Sequence, residues 1–338
     1  MSVQSGNYYE TEQLIVMLEA VINSHKAFRN VKLFHWESVF RIAEYHEVTN
    51  MVYFAILGMD IRIPPECRRM FEDSFRQAVG NVDELKNVVE AVIWKFEKEK
   101  KHLLLTGSYS YLPYYKKSEM GETKSAEFFV EKGKRGLIQE MMYQLDFLPE
   151  YRGTDRTVYS RGMIRLEFIE KWRNISRKTE KYFSRPLSSY PMVEGFRYIH
   201  RMNAEDDYLR QICDFAADYA EGFPRLRSFV NFWLFYQSNN QTLDYRTLIK
   251  RLKKFRLSRF SGHILCLTAF WFGRIQIPAQ EENECLELAH CLFSRGREGR
   301  DTVRADLPRG SVKDEEDELR EPERKRKKFL GIKKERKL

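Results

Sequence analysis

Residues 103–131, LLLTGSYSYLPYYKKSEMGETKSAEFFVE, constrain the fold more than any other stretch of the chain. Leu103-Leu104-Leu105 is a short apolar run halted by Thr106-Gly107-Ser108, the pattern of a buried strand running into a turn. SAEFFV, residues 125–130, reads as a second strand, and the residues between, 109–115, predict a short helix. Side chains alternate along a strand, so Ser125 and Glu127 share one face. No aspartate occurs between Asp83 and Asp146, which leaves that face with a single acid on this strand.

The flanking sequence predicts what surrounds the strands. Residues 10–27 place Leu14, Leu18, Val21 and Ile22 on one helical face, and further helices are expected over 36–47, 51–57 and 71–101. A helix over 136–147 precedes two alternating runs, 156–160 and 163–169, which pair around Gly162. From Pro191 to about Leu292 the pattern is helical again and rich in Phe and Trp. The expected fold class is therefore α+β, a small mixed sheet flanked by N-terminal and C-terminal helical regions. The expected division is 8–100 helical, 101–185 α/β core, 190–293 helical and 294–338 a disordered charged tail.

A length of 338 residues suffices for two real cores, and 43% hydrophobic with 14% aromatic residues excludes a mainly disordered chain. No apolar run approaches the roughly 18 residues needed to span a bilayer. The start, MSVQSGNYYETEQ, lacks a basic segment followed by an apolar one, and the five cysteines suit reduced thiols. A cytoplasmic location is the expectation. The net charge of +9 is concentrated in residues 320–338, where ten Lys/Arg face three Glu. That tail is a candidate contact for nucleic acid or an anionic membrane, whereas the folded body is nearly neutral.

Other residues invite chemistry but have plainer roles. His35, His46, His200 and His263 show no i, i+4 partner among His or Cys, so packing or capping is expected of them. Cys285 and Cys291 lack a second ligand pair. The aromatic runs 229–236 and 270–272 suit helix cores better than a base-stacking platform. Lys116-Lys117 and Lys132, Lys134 and Arg135 flank the central stretch and are candidate phosphate contacts.

The central stretch resembles a bacterial family of uncharacterised nucleotidyltransferases, in which an LKG turn, a tyrosine and a GDID-LV strand recur. Leu105-Thr106-Gly107 falls on the turn, Tyr115 on the tyrosine, and residues 125–130 on the strand. The resemblance extends over about 30–275, including 36–57, 225–236, Leu243-Asp244-Tyr245 and 270–273. It implies a nucleotide phosphate cradled by Thr106, Gly107 and Ser108 with Ser125, and Mg²⁺ held by acids on two strands. Those acids would be Glu127 and Glu167, the catalytic and metal-binding candidates. The chain departs from the pattern in several places. Thr106 replaces lysine, Gly121 arginine, Ser125 the first metal-binding aspartate, Ile169 a histidine and Asn231 an aspartate. A serine hydroxyl is a poor Mg²⁺ ligand beside a carboxylate. The expected function is thus a family member with a degraded site, a pseudo-enzyme or a nucleotide- or protein-binding scaffold. Two alternatives stand beside it: an active enzyme moving NMP from NTP to an unidentified acceptor with Mg²⁺, and a nucleic-acid-associated helical protein acting through its tail. The structural alternative for Glu127 and Glu167 is a pair of edge-strand acids facing solvent.

Overall fold

The computed structural model describes residues 6–25, 35–58, 63–121, 123–172, 176–221 and 224–295. The charged tail expected over 294–338 lies outside them from residue 296 on. Four helices come first: α1 (Gly6–Asn23), α2 (Trp36–Tyr45), α3 (Thr49–Leu57) and α4 (Pro65–Lys98). Pro65 opens α4, since a proline at the first helical position lacks only an N–H that would go unused there. At 34 residues α4 is about 50 Å long, enough to serve two cores. Its first half sends Cys67 and Phe71 into one cluster, and its second half sends Leu85, Val89, Val92 and Phe96 into another.

Six strands follow: β1 (Leu103–Thr106), β2 (Ser125–Val130), β3 (Leu148–Arg152), β4 (Arg156–Arg161), β5 (Ile164–Ile169) and β6 (Ile199–His200). The sheet order is β3-β4-β5-β2-β1-β6, with β2–β5 and β1–β6 parallel and the rest antiparallel. The fold is α+β with a mixed sheet, as the sequence predicts. Residues 108–114 form a 3-10 helix. Helix α5 (Arg135–Gln144) joins β2 to β3, and α6 (Arg177–Phe183) follows β5. Helices α7 (Ala204–Glu221), α8 (Leu226–Asn239), α9 (Tyr245–Phe255), α10 (Ser258–Gly273) and α11 (Glu282–Arg295) complete the described chain.

Strand alternation assigns the two faces of the sheet. Ala126, Phe128, Val130, Leu166 and Phe168 pack with α4 and α5 in the smaller cluster. Leu104, Phe129 and Ile169 point the other way, into a larger cluster shared by α1–α3 and α7–α11. The N-terminal and C-terminal helices therefore share one apolar core, with α1 packed on α10. The aromatic runs lie mostly in this core: Phe229, Phe232, Trp233, Phe235, Trp271 and Phe272 are buried, and Phe270 is exposed. All five cysteines are free thiols. No described helix is long and apolar enough to cross a membrane.

Candidate active site

The site begins as a change of chemistry from one rung of the sheet to the next. Leu104, Phe129 and Ile169 lie side by side on β1, β2 and β5 and form an apolar rung. Two residues along, Thr106, Glu127 and Glu167 form a polar one on the same face. β2 and β5 are the two central strands, so Glu127 and Glu167 are not edge-strand acids. Beyond the rung the chain turns at Gly107, where φ is +73° and an added Cβ would sit 2.2 Å from Glu127 Oε1. Only glycine allows both that backbone and that contact.

Helices α7 and α8 roof this face and enclose a cavity of about 360 Å³, within the range of small-molecule sites. Thr106, Gly107, Ser108, Glu127 and Glu167 all line it. Ser125, one rung further out, is not among the lining residues. Of the lysines expected near phosphate, Lys116 donates to the Ile22 carbonyl at 2.6 Å and Lys117 lies over the Phe54 ring. Arg135 is bridged to Glu170. None of Lys116, Lys117, Lys132, Lys134 or Arg135 lines the cavity.

The cations that do line it are Arg156, Lys171 and Arg210, and two further acids, Asp214 and Asp218, come from α7. Sequence reasoning missed all five. Arg210, Asp214 and Asp218 recur every four residues on a helix that is otherwise largely buried, so they share a face. That recurrence was the legible signal. Arg210 is buried, stacked over Trp172 at 5.1 Å, and Trp172 stacks on Phe129 with ring centroids 4.3 Å apart. Its Nε donates to Asp214 Oδ2 at 3.0 Å, and a second nitrogen reaches the other carboxylate oxygen. Arg156 bridges Glu167 at 3.2 Å.

Glu127 is left with the least compensation. Burial, then the charges of Glu167 and Asp214, push its carboxyl up to about 7, against the opposing pull of Arg210 and Arg156. Asp207, behind the cavity wall, accepts a hydrogen bond from the Tyr111 hydroxyl at 2.8 Å and is also pushed up to about 7, mainly by burial. Two of the residues at which the chain departs from the family pattern meet nearby. Arg227 donates to the Gly121 carbonyl and to Tyr115, and the Tyr115 hydroxyl donates to Asn231 at 2.7 Å.

Two-ion phosphoryl transfer draws on several carboxylates around the ions. Here β2 gives one acid to the cavity, Glu167 is bridged to Arg156, and Asp214 has both oxygens on Arg210. Among the described residues, the group of three or more His, Cys, Asp and Glu side chains close enough to share an ion is elsewhere, at His263, Glu281 and Glu284. Asp218 is the fourth carboxylate that lines the cavity.

The central strands of a mixed sheet thus present acids beneath a helical roof, beside a glycine turn, in a polar cavity on an α+β scaffold. Residues 32–273 match the family model described as an uncharacterised nucleotidyltransferase, and the chain belongs to that family. No curated protein matches. Among solved structures, the antibiotic-resistance factor ANT(2'')-Ia is similar at 12% identity and a TM-score of 0.36, over 52% of this chain and 92% of that one.

Proposed function

We propose that this protein is a nucleotidyltransferase-family member with a degraded catalytic site, a pseudo-enzyme whose cavity holds a nucleoside triphosphate without transferring it. The observation that carries this reading is the Thr106–Glu127–Glu167 rung, to which β2 gives a single acid, with Ser125 in place of the first acid that the family resemblance implies. Arg156 and Lys171, which are largely exposed at the cavity, supply the charge a triphosphate needs, and the turn at Thr106, Gly107 and Ser108 supplies backbone donors. The test is a calorimetric titration with each ribonucleoside triphosphate, with and without Mg²⁺. Binding that is indifferent to Mg²⁺, is kept by Glu127→Gln and is lost with Arg156→Met supports the proposal. Absence of binding at millimolar nucleotide overturns it in favour of a protein-binding scaffold.

A second reading is an active enzyme using Glu127 and Glu167 on one Mg²⁺. It is favoured by the raised pKa of Glu127, because a cation between the two acids would relieve the repulsion that contributes to it. Mg²⁺-dependent binding weakened by both Glu127→Gln and Glu167→Gln would support this reading against the first.

A further inference from the structure

A second cluster of chemistry-bearing side chains lies away from the cavity, where α10 meets the start of α11. His263 sits on the inner face of α10 with its side chain 2% exposed, and its Nε2 is 2.6 Å from Glu281 Oε2. Glu281 ends the 3-10 turn Ala279–Glu281, and Glu284 stands in the first turn of α11. One ligand atom from each of these three residues lies within 4.8 Å of the other two. A small closure would bring all three onto one ion, and both carboxylates are open enough for an ion to enter, at 35% and 22% exposure.

The donor chemistry selects the class of ion. A neutral imidazole with two carboxylates balances a divalent charge, and imidazole nitrogen suits Zn²⁺ and its neighbours rather than Mg²⁺. Arg259 bridges Glu284 from the solvent side and is itself largely exposed, so it orients that carboxylate without closing the site. Cys266 lies one turn further along α10. Its thiol is pushed up by burial and then by the charge of Glu281, which puts a soft donor in the field of the same carboxylate. Beyond these acids α11 sends Cys285, Leu288, Ala289 and Leu292 into the large core. An ion here would tie the last described helix to α10.

We propose that His263, Glu281 and Glu284 form a binding site for a divalent transition-metal ion of the Zn²⁺ class, which fastens α11 to α10. The test uses the full chain stripped with a chelator and probed with Zn²⁺ alone, with Mg²⁺ as the comparison ion. At a hundredfold excess over its Kd, Zn²⁺ raises the Tm by about 5 °C, and Mg²⁺ at the same concentration does not. Glu281→Gln and Glu284→Gln each weaken Zn²⁺ binding by about tenfold or more. Both acids are partly exposed, so these variants keep the fold, which melting of the metal-free proteins verifies. Zn²⁺ binding as tight in both variants as in the parent chain would overturn the proposal, as would a Tm that Zn²⁺ leaves unmoved.

Discussion

Two neighbouring residues of α7, Asp206 and Asp207, are treated by the protein in opposite ways. Asp206 is fully buried and receives the Tyr182 hydroxyl, Arg185, and Arg251 at 2.8 Å, while its own N–H donates to Asn203. It ties α6 and α9 to α7. Asp207 faces the other way, toward Tyr111 and the cavity wall, and like Glu127 it is held near neutrality in its proton affinity. Charge that serves the scaffold is saturated with partners. At the cavity, Glu167 and Asp214 are paired with Arg156 and Arg210, while Glu127 and Asp207 hold their protons to higher pH than ordinary carboxyls, mainly because of burial.

The comparison breaks most visibly at the saturated end. Asp206→Ala leaves Arg185 and Arg251 facing a buried gap and is expected to destabilise the protein by about 3–5 kcal/mol in urea unfolding. A loss below about 1 kcal/mol would mean that the hub is not what holds α6 and α9.

Next in size comes the turn that shapes the cavity. Gly107→Ala places a side chain at φ +73° and drives it into the Glu127 carboxyl. Backbone strain and contact together are expected to cost roughly 2–4 kcal/mol. In a double-mutant cycle with Glu127→Ala, the part due to the carboxyl should be recovered, and the backbone part and the 2.9 Å approach to the Cβ of residue 127 retained. Strict additivity would show that Glu127 is not the reason for the glycine.

This difference between scaffold and cavity also explains what could be read from the sequence. β1 is legible as an apolar run stopped by Thr106-Gly107-Ser108, and β5 by its alternation, Leu166 and Phe168 against Glu167 and Ile169, which reports two differently buried faces. β3, with the sequence LPEYR, is exposed along its whole length at the sheet edge, so burial imposes no pattern on it. β6 is two residues long and exists only through its pairing with β1. Pro113 and two i→i+3 bonds, to the Gly107 and Leu112 carbonyls, make 108–114 a 3-10 helix where a short helix was expected.

At the site, Glu127 and Glu167 were legible through the family resemblance, with strand period two placing Glu127 on one face with Ser125. Arg156 and Lys171 were not, because they reach the cavity from other elements, and the i, i+4 face of Arg210, Asp214 and Asp218 on α7 carries no sign in the sequence that it lies over the sheet. The His263 cluster escaped for a related reason: its partners are glutamates from the next element, outside any His or Cys spacing.

The smallest of the expected effects has the most informative sign. Glu127 takes up its proton at about 7 in the folded protein, against 4.5 as its ordinary value. Between those pH values the folded protein binds more protons at this group than the unfolded chain does. Stability from this residue therefore falls as pH rises from about 4.5 to 7, and the deficit is complete above 7. Glu127→Gln should remove it, making the variant more stable than the parent by roughly 2–3 kcal/mol at pH 8 and about equal to it below pH 4.5. Asp207 remains in the variant and is raised to about 7 as well, so part of the parent's pH slope should persist. Urea unfolding at pH 4, 6 and 8 measures both. An Asp206 variant loses stability at every pH while a Glu127 variant gains it only at high pH, and that contrast separates a charge saturated with partners from a desolvated acid that lacks them. If Glu127→Gln destabilised the protein at pH 8, Glu127 would belong with Asp206 among the paired charges.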